Sequence, residues 1–158
     1  MKIKMLVMDV DGTLTDGHIY IASSGEVMKA FNVKDGYGIV NLSKEGVLPV
    51  IITGRKSEIV AERAKELKIT ELYQGIDNKL EQLKKLAKKY SISSNEIAYI
   101  GDDMNDLECM EFCALSACPA DAYLIVKQKV DFVSCYNGGC GAVREFTDYI
   151  RQINNQKV

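Results

Sequence analysis

The chain has 158 residues, a length that fits one domain and lets it bury roughly 70% of the surface its unfolded form exposes. With 47% hydrophobic and 27% charged residues it is ordinary globular material, and a formal charge of -2 without a basic block argues against nucleic acid as a partner. No apolar run nears the ~18 residues of a membrane span, and no leader-like segment opens the chain, so a soluble, intracellular protein with no membrane partner is expected.

The first element in chain order is a buried strand within residues 1–10, where Ile3, Met5, Leu6, Val7 and Met8 make a near-continuous apolar run. A hairpin follows at about residues 17–31, with "HIYIA" and "EVMKAF" separated by Ser23-Ser24-Gly25. Its alternation puts Ile19 and Ile21 opposite Tyr20 and Ala22, and Val27 and Phe31 opposite Met28 and Ala30. Such a hairpin is apolar on both faces and needs a cover, for which a second copy of the chain is the first candidate. Residues 35–44 read as a helix with Ile39, Val40 and Leu42 inward and Gly46 ending it.

A second buried strand spans residues 47–53, and Ser57 can cap the helix that carries Ile59, Val60, Ala64 and Leu67. After the short strand "ELYQG", residues 79–90 space Leu80, Leu83, Leu86, Ala87 and Tyr90 as an amphipathic helix. "IAYIGDD" is a third buried strand, followed by a helix through Leu107 and Met110. Short strands at "ALSA" and "DFVSC" flank a helix near residues 121–126, and a last helix covers about residues 142–153. Strands alternating with helices over the whole chain predict one α/β domain, 1–158, built on a doubly wound, mostly parallel, Rossmann-like sheet.

In such sheets ligands meet the carboxyl ends of the strands. Those ends carry Asp9 and Asp11, then Thr53-Gly54, then Asp102 and Asp103, while Lys79 opens a helix on the same rim. Converging carboxylates without histidine are hard oxygen ligands, suited to magnesium rather than zinc. A magnesium ion and Lys79 would offset the charge of the acids and of a phosphate ester, as phosphoryl transfer requires. Residues two apart on a strand end point the same way, so Asp9 can attack phosphorus while Asp11 sits by the leaving oxygen. The five cysteines contain no CxxC pair and the one histidine, His18, is remote from them, so reduced, mostly structural thiols are expected.

"DVDGT" (Asp9 to Thr13), "IITG", Lys79 and "GDDMND" (Gly101 to Asp106) resemble, in order and spacing, the four motifs of the haloacid dehalogenase superfamily of aspartate-nucleophile phosphatases. The resemblance implies that Asp9 forms an aspartyl-phosphate and that Asp11 protonates the leaving alkoxide and then deprotonates water. It implies that Thr53 bonds a phosphoryl oxygen and that Lys79 neutralises its charge. It also implies that magnesium is held by the Asp9 side chain, the Asp11 backbone carbonyl and Asp102, with Asp103 and Asp106 supporting these ligands or holding waters. The short spacings between motifs leave room for a hairpin but not for a cap domain.

"DGHIYIASSGEVMKAFNVKDGYGI", "IITGRKSEIVAERAKEL", "LYQGIDNK" and "GGCGAVRE" are more particularly similar to the capless 3-deoxy-D-manno-octulosonate 8-phosphate (KDO 8-phosphate) phosphatases. That similarity implies a cytoplasmic homotetramer serving lipopolysaccharide synthesis, its hairpins meeting at the centre. It assigns Asn32, Asp35, Gly36, Arg55 and Arg63, besides Asp11 and Lys79, to the sugar acid, and brings the glycine-rich segment toward a neighbour's site. Turn, cap and helix-surface roles remain open for Asn32, Asp35 and Arg63, and Val40 stands where some relatives carry arginine. Two rivals stay in view: a phosphatase of nine-carbon 2-keto-sugar acid 9-phosphates, which tends to carry glutamate at Arg55, and a silent oligomerisation module, which would have lost Asp9, Asp11 or Lys79.

Overall fold

The computed structural model describes residues 2–156. In order the chain forms β1 (Met5–Met8), β2 (Tyr20–Ala22), β3 (Gly25–Met28), α1 (Val33–Lys44), β4 (Leu48–Thr53), α2 (Glu58–Glu66), β5 (Glu71–Gln74) and α3 (Lys79–Tyr90). There follow β6 (Ile97–Ile100), α4 (Leu107–Phe112), β7 (Leu115–Cys118), α5 (Leu124–Lys129), β8 (Phe132–Val133) and α6 (Ala142–Asn155). Six strands make one parallel sheet in the order β5-β4-β1-β6-β7-β8, as the alternating pattern predicts. From β1 the chain first winds outward through β4 and β5, then returns to the other side of β1 through β6, β7 and β8. β1 is therefore the switch strand, and a crevice opens beyond its carboxyl end.

Side chains alternate across the sheet and so make two cores. Leu6, Met8, Ile51 and Ile100 face one layer, with Ile39, Leu42, Val60, Phe146 and Ile150 from α1, α2 and α6. Met5, Val7, Val50, Ile52 and Tyr99 face the other, with Leu83, Leu86, Met110 and Val126 from α3, α4 and α5. Asn32, Ser57 and Asn78 cap α1, α2 and α3 by accepting from the backbone N–H groups of Lys34, Val60 and Glu81. Among the described residues no helix is long and apolar enough to cross a membrane. Cys109 and Cys118 are buried as expected, whereas Cys135 and Cys140 are exposed.

The hairpin β2–β3 stands apart from the main sheet, with Tyr20, Ile21, Val27 and Met28 exposed. Its turn is shorter than expected, because Gly25 already belongs to β3 and pairs with Ala22. Phe31 is not a hairpin residue. The strand ends at Met28, Lys29 turns inward, and Phe31 packs against the main core with the Arg63 guanidinium 5.6 Å from its ring. His18 lies at the surface beside Asp16, at 3.1 Å.

Candidate active site

The carboxyl ends of three adjacent strands, β4, β1 and β6, lead directly into Thr53, Asp9 and Asp102. The backbone N–H of Asp9 donates to the carbonyl of Ile100 at 3.0 Å, so strand pairing itself sets where this side chain starts. The turn beyond it needs Gly12, whose φ is +90°. A Cβ built there would lie 2.1 Å from Asp102 Oδ2, so any larger residue would evict that carboxylate. The hydroxyl of Thr13 donates to Asp102 Oδ1 at 3.0 Å.

Lys79, at the first turn of α3, is buried and donates to Asp9 Oδ1 and to Asp106 Oδ1, both at 2.8 Å. Asp106 is wholly buried and fully occupied: Oδ1 also accepts from Tyr99 Oη at 2.7 Å, and Oδ2 from the backbone N–H groups of Asp102 and Asp103 at 3.1 and 3.4 Å. Carboxylate oxygens of Asp9, Asp102 and Asp106 lie within 4.8 Å of one another. Burial first, and the Asp106 charge second, push Asp9 up to about 8 against the pull of Lys79. The same two causes raise Asp102 to about 6. Burial opposes the charge on Lys79, yet Asp9 and Asp106 outweigh it and hold the lysine above its ordinary range. Burial and the Asp106 charge keep Tyr99 neutral, so its hydroxyl stays a donor.

Three acids against one lysine leave a surplus of negative charge in a buried place. An oxygen-only donor set of this kind fits a hard divalent cation such as magnesium. Asp106 has its oxygens committed elsewhere, which leaves Asp9 and Asp102 as the side chains able to hold the ion. Asp103 does not join them: it is exposed and caps the turn Met104–Asp106 by accepting from the Met104 N–H at 2.7 Å.

Asp11 sits beside this cluster with its side chain 19% exposed. Its Oδ1 accepts from Lys29 Nζ, and its Oδ2 lies 4.0 Å from Arg55 Nε. Lys29 has a completely buried side chain and was missed in the sequence, where a lysine between Met28 and Ala30 reads as one more hairpin surface residue. The only hint was its place in the alternation where the hairpin gives way to the core. Thr53 ends β4 buried on the same rim.

The remaining sugar-contact candidates are placed differently. Asn32 caps α1 and its amide donates to the carbonyl of Gly139 at 3.3 Å. Asp35 is buried and its Oδ1 accepts from the Arg144 N–H at 2.8 Å, joining α1 to the start of α6. Arg63 donates to the Asn32 carbonyl at 3.3 Å and to Glu66 at 2.8 Å, lying so near Gly36 that a Cβ there would come within 2.6 Å. Val40 packs against the core at the edge of its cluster. The glycine-rich segment lies on this chain's own first-motif loop: Gly139 N–H donates to the Thr13 carbonyl at 3.1 Å, and a Cβ on Gly138 would be 2.0 Å from the Gly12 carbonyl.

A parallel switch-strand sheet with this acid–lysine rim defines a class, and the chain belongs to the haloacid dehalogenase-like hydrolases, whose family model matches residues 66–146. Its relatives are more particular. It is 45% identical over 149 residues to the 3-deoxy-D-manno-octulosonate 8-phosphate phosphatase KdsC of Escherichia coli K12, covering 94% of this chain and 79% of that one. The phosphatase of the same name from Moraxella catarrhalis, whose structure holds magnesium, phosphate and KDO, matches with a TM-score of 0.93 at 41% identity, over 97% of this chain and 88% of that one. The cobalt-bound deoxy-D-mannose-octulosonate 8-phosphate phosphatase of Haemophilus influenzae matches with a TM-score of 0.94 at 37% identity, over 98% and 91%.

Proposed function

We propose that this protein is a magnesium-dependent phosphatase that hydrolyses 3-deoxy-D-manno-octulosonate 8-phosphate to KDO and phosphate. The observation that carries the reading is Asp9, at the end of the switch strand, bonded at 2.8 Å to a lysine that a second buried acid holds in place. The relatives supply the substrate: KdsC at 45% identity is named for this ester, and the M. catarrhalis structure holds its sugar with magnesium and phosphate.

The residues divide the work as follows. Asp9 Oδ1 is tied to Lys79, so its other oxygen attacks phosphorus, and the phosphoryl group passes to Asp9 as the ester bond breaks. Lys79 and the Thr53 hydroxyl meet the phosphoryl oxygens. Asp11 gives its proton to the departing sugar oxygen, then takes one from the water that attacks the aspartyl-phosphate. Asp9 and Asp102, with the Asp11 carbonyl, hold magnesium, which supplies positive charge against the two acids and the ester. Tyr99 and Asp106 keep Lys79 aimed, and Arg55 stands beside Asp11 for the sugar carboxylate. Asn32, Asp35, Gly36 and Arg63 complete the sugar side of the site, whose floor they brace through α1 and the glycine-rich segment.

The protein works in the cytoplasm as a homotetramer in lipopolysaccharide precursor synthesis; the exposed Tyr20, Ile21, Val27 and Met28 on an isolated hairpin support the assembly. Phosphate release from the eight-carbon ester, set against a nine-carbon 2-keto-sugar acid 9-phosphate, tests the reading. We expect clear preference for the eight-carbon ester and loss of activity in Asp9→Asn; preference for the longer ester, or an active Asp9→Asn protein, would sink it.

A further inference from the structure

We propose that Lys29 is a positioning residue for Asp11: it grips one carboxylate oxygen so that the other is presented to the leaving group. The inference rests on the reading of Asp11 as proton donor, and adds to it the group that aims the donor.

A lysine side chain with no exposure needs a reason. Filling space is better done by methionine or leucine, since a buried ammonium loses its hydration and regains it only from well-placed anions. Lys29 has two. Its Nζ donates to Asp11 Oδ1 and lies 2.9 Å from Glu26 Oε1. Glu26 is itself anchored, because its Oε2 accepts from Ser57 Oγ, the hydroxyl that caps α2. The Ser57 N–H in turn donates to Gln74 Oε1 at 2.8 Å, at the end of β5. A line of polar contacts thus runs from Asp11 through Lys29 and the β3 residue Glu26 to α2 and β5, elements fixed by the main core.

This support has a directional effect. With Oδ1 held by Lys29, Asp11 Oδ2 is the oxygen left on the side of Arg55, whose side chain is about half exposed. When the ester bond breaks, its electron pair goes to the sugar oxygen, the phosphoryl group goes to Asp9, and the proton on Asp11 Oδ2 goes to that oxygen. Rotation of the carboxylate would withdraw the proton without touching the nucleophile or Lys79. Lys29 therefore governs the acid half of the reaction and leaves the attack alone.

That separation supplies the test. An alkyl leaving group needs a proton, whereas p-nitrophenolate leaves without one. For Lys29→Met we expect kcat/KM on 3-deoxy-D-manno-octulosonate 8-phosphate to fall by about 100-fold, and on p-nitrophenyl phosphate by less than about 3-fold. Equal losses on both esters would make Lys29 a merely structural cation and overturn the proposal, as would no loss on either. Circular dichroism and thermal melting check folding. If Lys29→Met does not fold, the charge-balanced Lys29→Met/Glu26→Gln pair is measured instead, and failure of both to fold also overturns the proposal. A wild-type protein inactive on the sugar ester would instead count against the proposed function.

Discussion

Magnesium removal should make stability fall as pH rises, which reverses the usual behaviour of a protein rich in paired carboxylates. Oxygens of Asp9, Asp102 and Asp106 come within 4.8 Å of one another. At an effective dielectric constant of ~20, each ionised pair repels by at least ~3.5 kcal/mol at that distance. Lys79 answers two of the three acids and is bonded to Asp9 and Asp106 rather than to Asp102. The displacement of Asp102 from 3.8 to about 6 corresponds to about 3 kcal/mol. Asp9, displaced to about 8, titrates together with it, so the two costs overlap instead of adding. Both groups bind protons more tightly folded than unfolded, so their penalty is absent below about pH 4 and grows as pH rises toward 8. A loss of about 3 kcal/mol lowers the melting temperature by ~6–12 °C in a domain of this size. Thermal unfolding in chelator and in saturating magnesium, across this pH range, is the assay. The gap between the two curves should open with pH, and Asp102→Asn should melt higher than wild type in chelator at the alkaline end while losing the magnesium-induced rise. A magnesium effect of the same size at both ends of the range would refute the electrostatic account.

Three further outcomes are expected. Gly12→Ala should abolish magnesium-dependent phosphate release, since the positive φ and the Cβ 2.1 Å from Asp102 Oδ2 both oppose it; near-normal turnover would show that the loop yields. Glu71 accepts from Lys89, Tyr73 and Tyr90, and although burial works against its charge these bonds hold it down at about 2. Its contribution is present above about pH 4.5 and fades as pH falls toward 2, so Glu71→Gln should cost ~1–2 kcal/mol in neutral urea melts and nothing in acid. Ile21→Glu with Val27→Glu on the hairpin should give a monomer by light scattering without lowering the yield of folded chain; an unchanged mass would remove the hairpin from the assembly.

The main-sheet strands were legible because their apolar runs are buried on both faces, and α3 because Leu83, Leu86 and Ala87 recur at helical spacing. The acid rim was legible for the same reason: carboxylates directly after such runs have nowhere to go but the sheet's edge. What the sequence concealed are polar groups whose meaning depends on distant partners. Lys29 meets Asp11 18 residues away, and nothing in "VMKAF" distinguishes it from a surface lysine. The sequence left Arg63 open between a sugar contact and a helix-surface charge. It could not show that Arg63 bonds the Asn32 carbonyl 31 residues away while pairing with Glu66 on its own helix. Asp103 and Asp106 are equivalent in "GDDMND", but backbone geometry gives one a surface cap and the other four donors at the centre of the site. Phe31 continued the hairpin's alternation and was misplaced by it, since period two persists for a few residues after a strand has ended.

The packing of Gly138 and Gly139 onto the Gly12–Thr15 turn closes the fold from its two ends, and so does the contact of Ile3 with Asn154, 151 residues apart. On a ribosome β1 emerges well before its neighbour β6, and before the glycine pair that seats its loop. Asp9 is made well before the segments that set it in place. A nascent chain that has not yet made β6 and the glycine-rich segment therefore lacks Asp102 and the support of its first-motif loop, and has no complete site.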